Sequence, residues 1–248
     1  MSVPPEIEPQ RIEQNRSRLI LGFADNASDL RAAQQLRFKV FAEEMGAQLA
    51  SAADGFDHDR FDSYCDHLLV RDERDGRVVG TYRILRPEAA ERIGGYYSET
   101  EFDLTRLQPI RHQLVELGRS CVDPEYRSAA VIVLLFAGIA QFMIEHRYEY
   151  LIGCASVNLG EGVPAAANLY LQLRERYLAP EKWRVEPLCP LPLDVPEGCE
   201  VADLPSLVKS YLNAGAYICG PPALDAKFNA ADLPLLLPMD RLDLRYVR

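Results

Sequence analysis

The sequence predicts an α/β protein with a central mixed, mostly antiparallel sheet and helices on both faces. One observation is a succession of strand, loop, helix and strand between residues 114 and 157. Another is a pair of strand-like runs joined by Asp75-Gly76, a dipeptide typical of tight hairpins. A hydrophobic content of 48% in 248 residues is ample for one sizeable core.

The stretch from Leu114 to Asn158 carries most of this prediction. It indicates a strand at 114–122, a turn at Pro124, a helix from about Ser128 to Arg147 and a strand at 150–157. The helix follows from apolar residues at three- and four-residue spacings, namely Ile132, Leu135, Phe136, Ile139, Phe142 and Met143. Unpaired N–H groups and the helix dipole would point into the loop, which makes an anion site suited to a phosphate-bearing carrier.

The other elements follow from periodicity and from turn residues. The predicted elements are a strand at 19–23, a helix at 29–45, a helix ending near 178, a proline-rich loop at 187–205, a short helix to about 214, and strand segments at 217–220 and 232–238. Leucines at 233, 235, 236, 237, 242 and 244 are expected in the core, with a greasy rim for an acyl chain or a membrane surface as the alternative.

Composition and charge disfavour several classes of function. The formal charge of −10 disfavours sequence-independent binding to nucleic acid. Six cysteines without a CxxC pair disfavour zinc sites and disulfide frameworks, and the aspartates of 54–62 lack EF-hand order, so no metal is predicted. Residues 1–18 are predicted to be a flexible arm before a single domain at 19–248. Without a signal-peptide pattern, or a run of about 18 apolar residues, the protein is expected to be cytoplasmic.

The loop after residue 121 has a characteristic order of residue types. The segment V-D-P-E-Y-R-S-A-A resembles the acyl-carrier loop of the GCN5-related N-acyltransferases, whose usual form is V-x-P-x-x-R-G-x-G before an apolar helix. Val122, Pro124 and Arg127 match, whereas Ser128 and Ala130 stand where the family has glycines. Glycine lets a phosphate approach the backbone closely, so a coenzyme A pyrophosphate would be held less well than a phosphopantetheine arm.

Four further blocks extend the resemblance along the chain. They are Arg37-x-x-x-Phe41, Asp59-Arg-Phe-Asp62, Arg83-Ile-Leu-Arg-Pro87 and Glu116-Leu-Gly-Arg119. In order and spacing they resemble the signature blocks of the acyl-homoserine-lactone synthases. Over roughly residues 19–248 the chain is identified as a member of a sister group, the hemolysin-like ornithine-lipid N-acyltransferases. The resemblance implies a splayed pantetheine cleft beside the 114–122 strand. It also implies transfer of a 3-hydroxyacyl group from acyl carrier protein to the α-amine of L-ornithine, giving lyso-ornithine lipid.

The resemblance implies roles for particular residues. Amide formation from a thioester needs a proton acceptor and donors to the developing oxyanion. Glu116 is the candidate general base, with a structural partnership to Arg119 as an alternative that does not exclude the first. Tyr170 lies where many acyltransferases of this fold place a general acid for the departing thiol. Cys121 sits in an apolar strand without a histidine nearby in sequence, which favours direct transfer over an acyl-cysteine.

Substrate contacts are also implied. Asp59 and Asp62 would pair with the ammonium groups of ornithine. Arg37 and Arg83 would either order those carboxylates or contact the carrier phosphate, and Phe41 shares a helix face with Arg37. The carrier and oxyanion contacts would come from Cys121, Val122, Arg127, Ser128, Ala129, Ala130 and Val131.

The implied partners are acyl carrier protein and ornithine or another amino acid. No resident cofactor is predicted, and coenzyme A is the alternative donor. An acidic carrier needs a basic patch, for which the candidates are Arg37, Lys39, Arg83, Arg86, Arg111 and Arg119. A lipid product is compatible with peripheral contact at the cytoplasmic face of the inner membrane. The alternatives are another amine acceptor, such as glycine, another amino acid or S-adenosylmethionine, and a catalytically silent carrier-binding module.

Overall fold

The computed structural model describes residues 11–14, 17–127 and 129–242. The strands are β1 (Arg11–Gln14), β2 (Ser17–Phe23), β3 (Asp66–Asp72), β4 (Val78–Leu85), β5 (Phe102–Asp103), β6 (Leu114–Val122), β7 (Tyr150–Asn158), β8 (Glu186–Pro187), β9 (Tyr217–Ile218), β10 (Ala223–Asp225) and β11 (Ala230–Pro238). The helices are α1 (Ala27–Phe38), α2 (Pro87–Ile93), α3 (Ala129–His146), α4 (Val163–Tyr177) and α5 (Ser206–Ala214).

The chain divides into two compact units. Of the described residues, unit 1 comprises 11–14, 17–89, 117–127 and 129–148, and unit 2 comprises 90–116 and 149–242. The single domain predicted for 19–248 stays a prediction. The flexible arm predicted for residues 1–18 also stays a prediction; within it, Arg11–Gln14 pairs with β2, which begins at Ser17. The rest of the arm, residues 1–10 and 15–16, lies outside the described residues.

In unit 1 the strands follow the order β1, β2, β3, β4 and β6, and β1 to β4 pair antiparallel. Leu68 and Leu69 of β3 show which helix covers each face. A Cβ on Gly138 of α3 would lie 2.9 Å from Leu68, whereas Leu69 packs in a cluster with Ala33 and Leu36 of α1. Because neighbouring strand side chains point to opposite faces, α1 and α3 cover opposite faces of the sheet. The predicted helices on both faces are confirmed.

Helix α3 is apolar on most of its surface. By length and composition it meets the criteria for a membrane span, with mean hydropathy 1.9 and half of it buried, so the expectation that no run approaches such a span was wrong. Strands β2, β3 and β4 contact this helix. Its Val131 is fully buried, and a Cβ on Gly80 of β4 would come 2.6 Å from the Val131 side chain. A core helix of this kind meets the same criteria.

In unit 2 the strands follow the order β6, β7, β11 and β10, and β9 also pairs with β11. The β6–β7 pairing is parallel and runs from Leu114↔Tyr150 to Glu116↔Ile152, whereas β7 and β11 pair antiparallel. The sheet is therefore mixed and mostly antiparallel, as predicted. Leu233, Leu235, Leu236 and Leu237 are buried, so the alternative of an exposed rim is wrong for them. Leu242 is partly buried, and Leu244 lies outside the described residues.

The Asp75-Gly76 turn is confirmed, since Gly76 has a φ of +72° and its N–H donates to the Asp72 carbonyl at 2.9 Å. The helix predicted at 29–45 is present, but it is not α-helical over its whole length. It ends as an α-helix at Phe38 and continues as a π-helical segment at Lys39–Glu44. Widened turns of this kind occur often at functional sites, and they change which side chains share a face.

Candidate active site

Arg37 is the centre of a buried ionic network in unit 1. The last turn of α1 places its side chain, which has no exposed surface. Its Nε donates to Asp57 Oδ2 at 2.7 Å, and its Nη2 donates to the Asp57 carbonyl at 2.7 Å. Nη1 and Nη2 donate to the two Asp62 carboxylate oxygens, each at 2.9 Å. This bidentate geometry is what a planar guanidinium provides.

Asp62 joins Arg37 to Arg83. Arg83 Nη1 donates to Asp62 at 2.9 Å and to Asp59 at 2.7 Å, and Gln34 Nε2 donates to Asp62 at 2.9 Å. Burial favours the neutral acid, but hydrogen bonds and charges from Arg37 and Arg83 hold the pKa of Asp62 well below its usual range. The network therefore carries ionised carboxylates matched by guanidinium groups.

Arg119 reaches the same network from β6. Its backbone φ of +50° lies in the left-handed region, which costs a non-glycine residue about 1–2 kcal/mol. Its Nε lies 3.3 Å from Asp57 Oδ2, and its Nη2 lies 3.4 Å from Asp59 Oδ2. A residue of this kind within a strand redirects its side chain and is found often at functional sites. The structure therefore brings Arg119 together with Arg37, Asp59 and Arg83.

The three aspartates of the network differ in exposure. The side chains of Asp57 and Asp62 are 3% and 5% exposed, whereas that of Asp59 is 22% exposed. Burial opposes ionisation of Asp59, but Arg83 and Arg119 lower its pKa below the usual value. Asp59 is thus the carboxylate of this network best placed to meet a cation from solvent, while Asp62 is engaged within the protein.

The arginines predicted to contact a carrier are mostly engaged elsewhere. Arg37 and Arg83 are buried and donate to carboxylates, which agrees with one of the two roles considered, and their role toward substrate stays a prediction. Arg86 pairs with Asp66, and Arg111 of unit 2 pairs with Glu99. Phe41 lies in the π-helical segment and packs against the apolar cluster around Leu36 and Cys121. These contacts do not test its predicted role with substrate.

The loop after β6 is held by charged side chains. Asp123 accepts from the Glu125 N–H at 3.0 Å, capping a short helical turn at Pro124–Tyr126, and Lys39 Nζ donates to it at 2.9 Å. Arg127 forms a two-pronged pair with Glu44, with distances of 2.5 and 2.6 Å. Ser128 lies outside the described residues.

The remaining members of the predicted carrier-binding set lie on either side of this turn. Val122 ends β6 and is partly buried, while Ala129, Ala130 and Val131 begin α3, with Ala129 exposed and Val131 buried. Burial raises the pKa of the Cys121 thiol to about 12. Because a nucleophilic cysteine must be a thiolate, this supports direct transfer over an acyl-cysteine.

Tyr126 fastens the loop to the β3–β4 hairpin. Its hydroxyl donates to Asp72 Oδ2 at 2.6 Å and accepts from Arg77 Nη2 at 3.1 Å. Arg74 pairs with the same Asp72 carboxylate at 2.6 Å. Hydrogen bonds from Arg74 and Tyr126 hold the pKa of Asp72 well below its usual range. The loop is therefore preorganised by the hairpin.

Glu116 lies in unit 2, where its carboxylate fills the start of a short helical turn at Tyr97–Thr100. Its Oε2 accepts from the Tyr97 N–H at 2.7 Å, and its Oε1 accepts from the Ser98 N–H at 2.7 Å and from Ser98 Oγ at 2.5 Å. The Glu116 residue is 5% exposed. Unpaired N–H groups at the start of a helical turn suit an anion, so these donors stabilise the charged carboxylate.

Tyr170 lies on α4 in unit 2 and is 3% exposed. Burial raises the pKa of its phenol, with a smaller contribution from Glu186, while Arg174 and Arg184 oppose the rise. A protonated phenol at neutral pH is compatible with a proton donor, and that role stays a prediction.

The structure also assembles a cluster of carboxylates that the sequence does not reveal. Ligand atoms of Glu101, Asp225 and Asp232 lie within 4.8 Å of one another. Oxygen donors of this type suit a hard cation. However, burial together with Asp232 and Asp225 raises the pKa of Glu101 to about 9, so a proton relieves the repulsion at neutral pH.

Two more buried residues were missed, one within the ionic network and one beside it. Asp57 follows Gly55 and Phe56 in a stretch that resembles a polar loop, yet its N–H donates to the Gln34 carbonyl at 3.1 Å and its carboxylate pairs with Arg37. His67 of β3 has its Nε2 within 2.9 Å of the Asp62 carbonyl oxygen, and burial lowers its pKa. His67 directly precedes the apolar residues Leu68, Leu69 and Val70 of β3, and this run could have indicated its burial.

Comparisons with known proteins support the assignment of this chain to the acyltransferases. Residues 36–137 match the family described as the acetyltransferase (GNAT) domain. The chain is 37% identical to an L-ornithine N(alpha)-acyltransferase of Brucella abortus (strain 2308), over 98% of this chain and 95% of the relative.

Solved structures with the same fold are more distant in sequence. FeeM, an N-acyl amino acid synthase from uncultured soil microbes, superposes with a TM-score of 0.55 at 13% identity, covering 94% of this chain and 98% of its own. The acyl-homoserine-lactone synthase LasI superposes with a TM-score of 0.51 at 14% identity, covering 90% of each chain. At these identities the likeness concerns the fold alone, and it confirms the acyltransferase fold predicted from the sequence.

Proposed function

The chain belongs to the L-ornithine N(alpha)-acyltransferase family, and we propose that it transfers an acyl group to the α-amine of L-ornithine in ornithine-lipid synthesis. The observation that carries this proposal is 37% identity over 98% of the chain and 95% of the Brucella abortus relative. The match to the GNAT domain family agrees with an acyltransferase.

The acyl donor in this proposal is a 3-hydroxyacyl thioester on the phosphopantetheine of acyl carrier protein. Ser128 and Ala130 replace the glycines of the usual carrier loop, and this favours a donor with one phosphodiester over coenzyme A with its pyrophosphate. The contacts of Tyr126 and Arg127 keep this loop in place. The carrier contacts would be the backbone N–H groups around Val122 and at the start of α3.

The proposed reaction is direct aminolysis of the thioester. The α-ammonium of ornithine gives up a proton to Glu116, and the neutral amine attacks the thioester carbonyl carbon. The C–S bond then breaks, and the thiolate takes a proton, for which Tyr170 is the proposed donor. The second proton, which the nitrogen loses as the amide forms, replaces the one that Tyr170 gave, and the proton held by Glu116 passes to solvent. In unit 1, Asp59 is the proposed contact for an ammonium group, because it is ionised and partly exposed.

The product is amphiphilic, with one acyl chain on a zwitterionic head group. We therefore propose that the protein acts in the cytoplasm and contacts the inner membrane peripherally when it releases product.

A mass-spectrometric assay tests the proposal. Purified protein is incubated with a 3-hydroxyacyl carrier protein, or with the matching coenzyme A thioester, and a pool of amino acids that includes ornithine and glycine. We expect a new species at the mass of acyl-ornithine, formed faster with the carrier protein. The acyl group should lie on the α-nitrogen of this product, and Nα-acetylornithine should not be a substrate, because only the α-amine is acylated. If only another amine is acylated, the assignment of ornithine as the acceptor is wrong. If the protein binds the carrier but releases no thiol, the assignment of acyltransferase activity is wrong.

A further inference from the structure

Ser98 makes two contacts to the carboxylate of Glu116. Its hydroxyl donates to Glu116 Oε1 at 2.5 Å, and its backbone N–H donates to the same oxygen at 2.7 Å. Ser98 is 2% exposed, so water does not compete strongly for either contact. Hydrogen bonds to a charged acceptor are stronger than neutral ones, and they strengthen further away from solvent.

A second donor lies behind the Ser98 hydroxyl. The thiol of Cys154 donates to Ser98 Oγ at 3.5 Å. Burial, with the nearby carboxylates of Glu101 and Asp232, raises the pKa of Cys154 well above its usual value. The thiol therefore keeps its proton and acts as a donor toward oxygen. With Cys154 donating to Ser98, the Ser98 hydroxyl hydrogen is left to point at Glu116.

The register of the strands explains why these groups meet. Glu116 of β6 pairs with Ile152 of β7, and Cys154 is two residues further along the same strand. Strand side chains two residues apart point to the same face, so Cys154 and Glu116 share one face of the unit 2 sheet. The turn that carries Ser98 contacts both side chains on that face.

We propose that Ser98 is a positioning residue for acyl transfer, which holds the Glu116 carboxylate in one orientation and keeps it charged, and that Cys154 sets the direction of the Ser98 hydroxyl. This inference rests on the proposed function, in which Glu116 is the base. Ser98 acts through Glu116 and is assigned no contact with substrate.

Other charged groups act on the same region. Arg111 lies near enough for the charge of Glu116 to contribute to its raised pKa, although its larger interaction is the pair with Glu99 at 2.7 Å. Glu101, from the residues just after the turn, and Asp232, from β11, act on Cys154. Substitution of Ser98 leaves all of these groups in place, so a change in pH dependence would report on the lost hydroxyl.

The test compares Ser98→Ala with Ser98→Thr. Loss of a hydrogen bond to a charged group should reduce kcat/KM about tenfold to a hundredfold in Ser98→Ala. The hydroxyl favours the charged carboxylate, so its loss favours the protonated acid, and the acidic limb of the pH–rate profile should move to higher pH. Ser98→Thr keeps a hydroxyl and should recover both the rate and the profile. Cys154→Ala should shift the profile in the same direction by less.

Thr100→Val is the matched control. Thr100 belongs to the same turn, but its hydroxyl donates to the Tyr97 carbonyl at 2.7 Å. This variant should keep the wild-type rate and pH profile, with thermal unfolding measured for every protein to exclude misfolding.

A carbon NMR titration of the Glu116 carboxyl provides a readout independent of turnover. In Ser98→Ala that signal should titrate at higher pH than in the wild type, even if the acceptor proves to be another amine. An unshifted titration would overturn the inference, as would a slow Ser98→Ala enzyme whose pH profile is unchanged and which threonine does not rescue. If the wild type forms no acyl-ornithine but the Glu116 signal of Ser98→Ala still titrates at higher pH, only the proposed function is refuted.

Discussion

Replacing Arg37 by methionine should destabilise the protein by about 3 kcal/mol, because it leaves buried carboxylates without their main cation. Arg37 makes four hydrogen bonds to Asp57 and Asp62, at 2.7 to 2.9 Å, and those two side chains are 3% and 5% exposed. Removing one partner of a buried ion pair costs about 3–5 kcal/mol. The lower end applies, because Arg83 and Arg119 remain close to the same carboxylates.

Urea unfolding at pH 7.5 measures this loss, and Arg127→Met is the matched control. The pair between Arg127 and Glu44 is 48% and 37% exposed, so its loss should cost less than about 1 kcal/mol. An Arg37→Met protein within about 1 kcal/mol of the wild type would refute the reasoning, since it would mean that the network contributes no more than a surface pair.

The pH dependence supplies a second check on Arg37→Met. In the wild type the pKa of Asp62 is lowered, so its contribution to stability is fully present at every pH above the ordinary aspartate pKa. This contribution is lost only as pH falls through the folded-state pKa. Wild-type stability from this group is therefore constant between about pH 7.5 and 5.5. In the variant the hydrogen bond and charge of Arg37 no longer oppose burial, so the affinity of Asp62 for a proton rises, although Arg83 still favours the charged form. The deficit should therefore shrink as pH falls, and a deficit independent of pH would contradict this account.

The remaining predictions concern unit 2 and two glycines. Glu116→Gln should lower turnover about a hundredfold or more, as loss of a general base does, with a cooperative thermal transition retained; an unchanged rate would remove Glu116 from that role. Glu101 has a raised pKa of about 9, so its contribution to stability is full below the pKa of the unfolded state and is lost as pH rises towards 9. Glu101→Gln should abolish this fall of the melting temperature with pH, and an unaltered pH dependence would exclude Glu101 as its cause. Gly220→Ala would place a Cβ 2.1 Å from the Val185 carbonyl oxygen and should cost more than about 2 kcal/mol in urea unfolding. Gly22→Ala should cost far less, because its Cβ would meet no atom of the described residues within 4 Å.

Local signals in the sequence predicted the central elements well. β6 was expected at 114–122 and occupies Leu114–Val122, and α3 begins and ends within one residue of its prediction. Apolar periodicity and Pro124 are properties of neighbouring residues, so they are readable without the fold. The short β10 strand was missed, because three residues carry no period, and its place in the sheet comes from pairing with β11.

Assignments of charged residues depended on contacts between distant segments. The sequence motif predicted the same substrate-binding role for Asp59 and Asp62, and it did not indicate which of the two is buried. Asp62 is buried against Arg37, 25 residues away, while Asp59 keeps partial exposure. Arg37 and Arg83, two of the basic residues proposed for a carrier surface, are buried instead. A guanidinium is retained in a core only with carboxylates around it, and those carboxylates come from distant segments.

By itself the sequence determined the fold class, the strand–loop–helix order around residues 114–158 and, through four ordered blocks, the acyltransferase family. Periodicity and motif order are written in consecutive residues and survive without knowledge of packing. Only the tertiary structure decided which carboxylates are neutralised, that Ser98 and Cys154 lie beside Glu116, and that Glu101 meets Asp225 and Asp232. The energy of a charged group depends on its burial and its nearest partners, and both are set by segments that meet only when the chain folds.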